Sequence, residues 1–235
     1  MNLLMDDNTP IDVIRTNRRK TASIKVINGR VQVIVPENLS EIRIQQIVHN
    51  RKPWIREKLN LQSEQSIPKP KEYISGESFS YLGKNYRLKV LLNEPTEVKL
   101  KGGNLVVGVY SKWSDTDRNT FMRKELVKWF EHHALVRLTE KTNRFAKMLG
   151  VSPRSISVRD FTSRWGSCCS SGNITYNWRI VIAPHSIVDY VVVHELCHLL
   201  EHNHSDEFWR NVSKVLPDYQ SNKDWLKFNG LKLVI

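Results

Sequence analysis

The chain has 235 residues, 40% hydrophobic and 26% charged, with 36 Lys+Arg against 24 Asp+Glu and a formal net charge of +12. That length permits one large domain or two small ones around a substantial core, and no run approaches the roughly eighteen apolar residues of a membrane-spanning helix, so no membrane partner is expected. An acidic start at Asp6 and Asp7 does not read as a signal peptide, and three cysteines, two of them adjacent at Cys168 and Cys169, exclude a disulfide scaffold, so a reducing cytoplasm is expected.

Residues 22–35 predict a β-hairpin. Ile24 and Val26 alternate, Asn28-Gly29 supplies the tight turn, and Val31, Val33 and Val35 alternate again. The preceding run of Arg15, Arg18, Arg19 and Lys20 suits phosphate contacts or a solvated strand edge. Ser40 is placed to cap a helix bearing Ile44, Ile47 and Val48. Pro53 is expected to break that helix and start a shorter one with Ile55 and Leu59, in which Trp54, among Arg51, Lys52, Arg56 and Lys58, is expected to anchor a core rather than stack a base. A linker is predicted over 62–72, where Ser63, Ser66, Pro68 and Pro70 cluster. Residues 73–110 read as a β-meander turning at Gly83-Lys84-Asn85 and at Lys101-Gly102-Gly103-Asn104. No internal repeat of solenoid length is visible.

Ser114 and Asp115 open the longest predicted helix, which ends at Leu149 before Gly150 and carries Phe121, Leu126, Trp129, Phe130, Leu138 and Phe145 as its apolar stripe. His132 and His133 within it are consecutive and point about 100° apart, so they are not expected to share an ion. A strand over 151–161, a glycine- and serine-rich turn over 164–172 and a strand over 173–182 follow. The last of these is positioned to offer a free edge to an extended peptide.

Ala183-Pro184 then begins a helix containing Val193-His194-Glu195-Leu196-Cys197-His198 and running on through Leu200. Helical spacing puts His194 and His198 one turn apart on one face, where two imidazoles can pinch a divalent ion while Glu195 handles its water. A catalytic zinc site needs a third protein ligand. His202 continues the straight row, but each step of that row rises about 6 Å while Zn–N bonds are about 2.0–2.1 Å. A ligand from chain that has turned back is therefore preferred. Asn203 can end the helix in the left-handed conformation, Ser205 with Asp206 and Glu207 reads as a fresh N-cap, and His204 lies between them. His204 is preferred to His202, with Glu207 and Asp206 as further alternatives. The spacing of His194, His198 and His204 equals that of a metzincin motif, with Glu201 where that motif has glycine. Phe208, Trp209, Val212, Val215 and Leu216 outline a short helix able to pack beneath the site, and Cys197 reads as core.

Four segments taken together resemble the YgjP-like metallopeptidase family of zincins: Arg164-Trp165-Gly166-Ser167-Cys168, Asn177-Trp178-Arg179, Val193 to His198, and Asn203-His204-Ser205 with Phe208-Trp209. The Arg-rich hairpin and the Trp54 helix extend the resemblance to most of the chain. It departs at Cys169, where serine is expected. The resemblance implies a metal held by His194, His198 and His204 with Glu195 as general base. It further implies kinship with SprT-like and WLM-type proteases, some of which act at DNA, whereas some members of the family itself are described as nucleotide hydrolases.

The combined expectation is an α+β protein. An N-terminal basic region of hairpin, helix and meander over 1–112 would precede a minimal zincin-like domain over 113–235 that holds a long helix, a small sheet and the HExxH helix. One Zn2+ would activate water for peptide hydrolysis, with Glu195 moving the proton. Arg164, Tyr190 and His202 are candidate donors to the substrate oxyanion. Asp189 or Glu201 could orient a ligand imidazole. Residues 1–114 hold 19 Lys+Arg against 11 Asp+Glu, and residues 115–235 hold 17 against 13, so the basic excess lies mainly away from the metal helix. That excess keeps two other readings open. One is metal-dependent nucleoside triphosphate pyrophosphohydrolysis; the other is a nucleic-acid-binding module or DNA-localised protease.

Overall fold

A computed structural model describes residues 2–4, 9–17, 21–27, 29–64 and 69–235. Contacts divide the chain into two compact units, 1–68 and 69–235. Arg18, Arg19, Lys20, Asn28, Ser66 and Pro68, which figured in the predicted basic run, turn and linker, lie outside the described residues.

In the first unit, strands β1 (Asn2–Leu4), β2 (Pro10–Thr16), β3 (Ser23–Ile27) and β4 (Arg30–Pro36) form one sheet in the order β1-β2-β4-β3. The predicted hairpin is β3–β4, and β2 joins β4 in parallel. Val31, Val33 and Val35 are fully buried, as strict alternation on a one-sided sheet requires. They pack with Ile44, Val48 and Ile55 of helix α1 (Glu41–Glu64). The break expected at Pro53 does not occur, because the buried stripe of α1 continues across it; the missing N–H costs one hydrogen bond within an otherwise packed helix. Trp54 is 36% exposed and is not part of this core. Arg15 donates to the carbonyls of Glu37 (2.5 Å) and Leu39 (2.9 Å), clamping the turn into α1.

The second unit opens with β5 (Ser78–Tyr81), β6 (Lys84–Leu92), β7 (Lys99–Lys101) and β8 (Asn104–Val109), followed by helix α2 (Asp115–Leu149). Its sheet is ordered β5-β6-β8-β7, with β6 and β8 parallel, so it is not the meander expected from its turns. The same plan of four strands and a helix thus occurs in both units. Both hairpins even share a register, Lys25 facing Gln32 in one and Lys99 facing Val106 in the other. Sequence inspection missed this repeat because what recurs is alternation and topology rather than residue identity.

Residues 113–235 were expected to form a core of their own. Instead Phe79, Leu88, Leu105 and Val107 of this sheet share one core with Leu126 and Phe130 of α2 and with Trp178 and Val192 further on. The sheet's single apolar face and the stripe of α2 each need the other for burial. Ser114 accepts from the Asp117 N–H, and Gly150 closes α2 at φ 68, a left-handed C-cap.

Strands β9 (Ser155–Arg159), β10 (Gly166–Cys168) and β11 (Asn173–Asn177) form a sheet in the order β10-β11-β9. The strand predicted to run to 182 stops at Asn177 and becomes a 3-10 helix (Trp178–Ile182) whose Trp178, Ile180 and Val181 are fully buried. Helices α3 (His185–Cys197), α4 (Asp206–Val215) and α5 (Tyr219–Asn229) complete this α+β chain. Among the described residues no helix is long and apolar enough to cross a membrane.

Candidate metal centre

Ile187, Val188, Tyr190, Val191, Val192, Val193, Leu196 and Cys197 are all buried, so α3 is apolar nearly all round and sits inside the core. It ends sooner than expected. Cys197 is its last residue, and the Cys197 carbonyl accepts from both Leu200 N (3.0 Å) and Glu201 N (2.9 Å) as the chain turns away. Asn203 does not adopt positive φ; its side-chain oxygen accepts from Ser205 N at 3.1 Å. Ser205 then caps α4 by accepting from Phe208 N at 3.4 Å. This double turn brings His204 back over α3.

The ligating atoms of His194, His198 and His204 all lie within 4.8 Å of one another. His194 Nε2 and His204 Nε2 are 3.1 Å apart. Two nitrogens bound to one tetrahedral zinc at 2.0–2.1 Å would stand roughly 3.3 Å apart, so the spacing fits an ion. His198 Nδ1 lies 3.1 Å from the Glu201 carbonyl, which makes Nδ1 the protonated donor and leaves Nε2 for a metal. Burial, followed by the neighbouring His198 and His204, holds the His194 pKa down at about 3, and burial lowers His198 too. Neutral imidazole is the form a metal needs. Fully buried Phe208 packs against all three rings at 4.6–5.0 Å, Trp209 stacks on His204 at 5.6 Å, and Tyr219 stacks on Trp209 at 5.2 Å.

Glu195 is 5% exposed. Its carboxyl lies over Gly166 of β10; burial raises its pKa to about 7 against the lowering effects of Arg164 and the Cys168 backbone. Gly166 was singled out in the sequence only as part of a motif. Its missing side chain is what gives Glu195 room.

Of the other expected residues, Arg164 is exposed, lies 5.7 Å from the Phe161 ring and acts electrostatically on Glu195. Tyr190 packs edge-on against His194 at 5.8 Å, and burial drives its pKa up to about 12. His202 is exposed and stands outside the imidazole cluster. Asp189 does not orient an imidazole, because Lys141 (2.6 Å) and Arg144 (3.4 Å) hold its carboxylate. Glu201 serves His198 through its backbone carbonyl. His133 Nδ1 meets the Trp129 carbonyl at 2.8 Å, and its ring stacks on Trp129 away from any metal cluster. Sequence reasoning passed over Tyr219 and Lys223, whose ammonium sits 4.2 Å above the Trp209 ring.

The sequence matches the YgjP-like, metallopeptidase domain family over residues 20–229. The chain belongs to the YgjP-like metallopeptidase family. Membership implies a metal ion, and the three imidazoles are a group able to hold one. A comparison with curated proteins finds no match. Among solved structures, the crystal structure of the metallopeptidase zymogen of Pyrococcus abyssi abylysin is similar at 24% identity and a TM-score of 0.35, over 37% of this chain and 89% of that one.

In this YgjP-like chain the Asn177-Trp178-Arg179 segment supports the site from behind. Asn177, 2% exposed, donates to the carbonyls of Phe161 (2.9 Å) and Arg164 (3.2 Å) and accepts from Arg179 N. Arg179 grips Asp160 through two bonds of 2.9 and 2.7 Å. The loop that delivers Arg164 and Gly166 is thereby held at both ends.

Proposed function

We propose that the protein is a zinc peptidase in which His194, His198 and His204 hold one ion and Glu195 is the general base. The observation that carries this reading is the convergence of three imidazoles beside a buried carboxyl group. Three nitrogen donors suit zinc and leave one position of a tetrahedral ion open. When bound, the ion supplies the Lewis acidity that lowers the pKa of water from about 15.7 toward 7. Glu195 takes the water proton on its carboxylate and passes it to the nitrogen of the departing amine, and a group titrating near 7 is matched to both transfers. Tyr190, kept protonated by burial, and the Arg164 guanidinium are the donors for the substrate oxyanion. His202, exposed outside the cluster, drops out of that role.

Peptide is the favoured substrate because of β10. Its neighbour β11 is central, so the free edge expected of the later strand belongs to β10 instead. Asn177 N bonds to Trp165 O (2.8 Å) and Cys169 N to Asn173 O (3.1 Å), so the alternation of an antiparallel pair turns the main-chain groups of Gly166 and Cys168 outward. The outward Gly166 N–H and C=O are then open to an extended chain beside the metal. Free Cys168, Cys169 and Cys197 suit a reducing compartment.

Metal analysis of the purified protein, paired with peptide and nucleoside triphosphate panels, tests the reading. One zinc per chain and peptide cleavage that is lost in Glu195→Gln are expected. Release of phosphate or pyrophosphate that is lost in His194→Ala, without peptide cleavage, would replace it with nucleotide hydrolysis. Cleavage that rises on adding DNA would place the peptidase at DNA.

A further inference from the structure

The first turn of α3 borders a cavity of about 490 Å³. His194 lies nine positions on from His185, at that end, and about 14 Å along the helix. Lys84, Arg137, Lys141 and Arg144 line the cavity together with His185. Two carboxylates oppose them: Glu140 meets Arg137 at 2.8 Å, and Asp189 takes Lys141 and Arg144. Four fixed cations against two carboxylates leave a surplus of positive charge. His185 feels both signs: burial first and then Lys141 lower its pKa, Asp189 opposes them, and Arg137 and Lys84 lower it further.

The wall is held by tertiary contacts. Leu82 sits at φ 51 and Gly83 at φ 80, with Leu82 N bonded to Val181 O at 2.7 Å. A Cβ on Gly83 would come within 3.1 Å of Pro184 Cα, so this turn is pressed onto the start of α3. Nothing caps α3 there with a side chain, and the positive end of its dipole faces that region. Tyr81, 6% exposed, lines the cavity with its hydroxyl beside the Arg137 guanidinium. A guanidinium can only donate to that oxygen, so the Tyr81 O–H proton is left to give to an incoming oxyanion.

We propose that this cavity binds a phosphate-bearing anion through Lys84, Arg137, Lys141, Arg144 and the Tyr81 hydroxyl. Several cations, including two guanidinium forks, match the multiple oxygens of phosphate better than a single carboxylate. The volume falls in the range of ligand pockets, and half-buried Tyr86 in its lining can meet an organic portion. The site is separate from the imidazoles and stands whether or not they hold zinc.

Inorganic pyrophosphate titrated into the full chain by calorimetry at low salt, with and without bound metal, tests the proposal. Binding in both forms is expected, at least tenfold weaker in the Lys84→Ala/Arg137→Ala double variant and unchanged in the Lys124→Ala/Lys147→Ala control, which removes the same charge from exposed positions. Tyr81→Phe should weaken it several-fold. No binding, an equal loss in the control, or binding that requires the metal overturns the proposal. A single-stranded twelve-nucleotide DNA that displaces pyrophosphate identifies the phosphate as that of nucleic acid, and failure to displace it identifies a small phosphate compound.

Discussion

Glu195 and Gly166 touch so closely that a Cβ on Gly166 would lie 2.5 Å from both Cγ and Oε1 of Glu195 and 2.6 Å from its Cδ. The carboxyl group of the helix and the bare α-carbon of the edge strand are therefore one unit. The three nearest atoms all belong to the Glu195 side chain, so a methyl group there displaces that carboxyl group first. Gly166→Ala should lower kcat about 100-fold or more while zinc content and Tm stay near wild type, since a positioned general base contributes roughly 10²–10⁴-fold. Unchanged kcat in steady-state peptide cleavage would remove this pairing from the mechanism.

Glu195→Gln should hold metal and lose turnover by a similar factor. In the metal-free chain it should also change the pH dependence of stability. Burial raises the folded-state pKa from 4.5 to about 7, so the folded chain favours the protonated acid. Wild-type stability is then intact below pH 4.5, falls as pH rises between 4.5 and 7, and levels off about 3 kcal/mol lower. Gln does not titrate, so urea denaturation should find the variant the more stable by that order at pH 8 and the two alike at pH 4. Parallel pH curves would show that the carboxyl is not buried in its charged form.

His204→Ala and His202→Ala separate the turned-back histidine from the one in line with the helix. His204 Nε2 lies 3.1 Å from His194 Nε2, while His202 stands outside the cluster. Zinc affinity measured by competition with a chelating dye should fall at least about 100-fold in His204→Ala, beyond the 10–100-fold typical of an outer-shell partner. It should not change in His202→Ala. The opposite pattern would break the triad.

Asn177→Ala removes the hydrogen bonds that hold the carbonyls of Phe161 and Arg164. Buried acceptors left without donors cost about 1–3 kcal/mol. Calorimetry should show a Tm lower by roughly 4–8 °C, and peptide KM should rise because the loop carrying Arg164 and Gly166 loses its anchor.

Elements with strong local signals were legible. The cap at Ser114, the stripe of α2 and the stop at Gly150 depend on residues within a few positions of one another, and all three occur. The β3–β4 hairpin and the pairing of His194 with His198 on one face of α3 are local in the same sense. Pro53 misled because burial of Ile44, Val48 and Ile55 against β4 outweighs one missing hydrogen bond. The parallel pairing of β6 with β8 was hidden because turn residues report where a chain reverses, not which strand it comes to lie beside.

The amino-acid order alone determined what period and spacing can encode: an α+β chain, a helix presenting two imidazoles and a carboxylate, and a nearby histidine on a turn. Only the tertiary structure decided that His204 closes on His194, that Gly166 makes room for Glu195, and that Lys84, Arg137, Lys141 and Arg144 meet at the other end of the same helix. Those relationships join residues far apart in the chain or across a reversal, and they exist because one shared core draws the sheet, α2 and α3 together. Burial of apolar surface sets that arrangement, and it carries no signature in any short stretch of sequence.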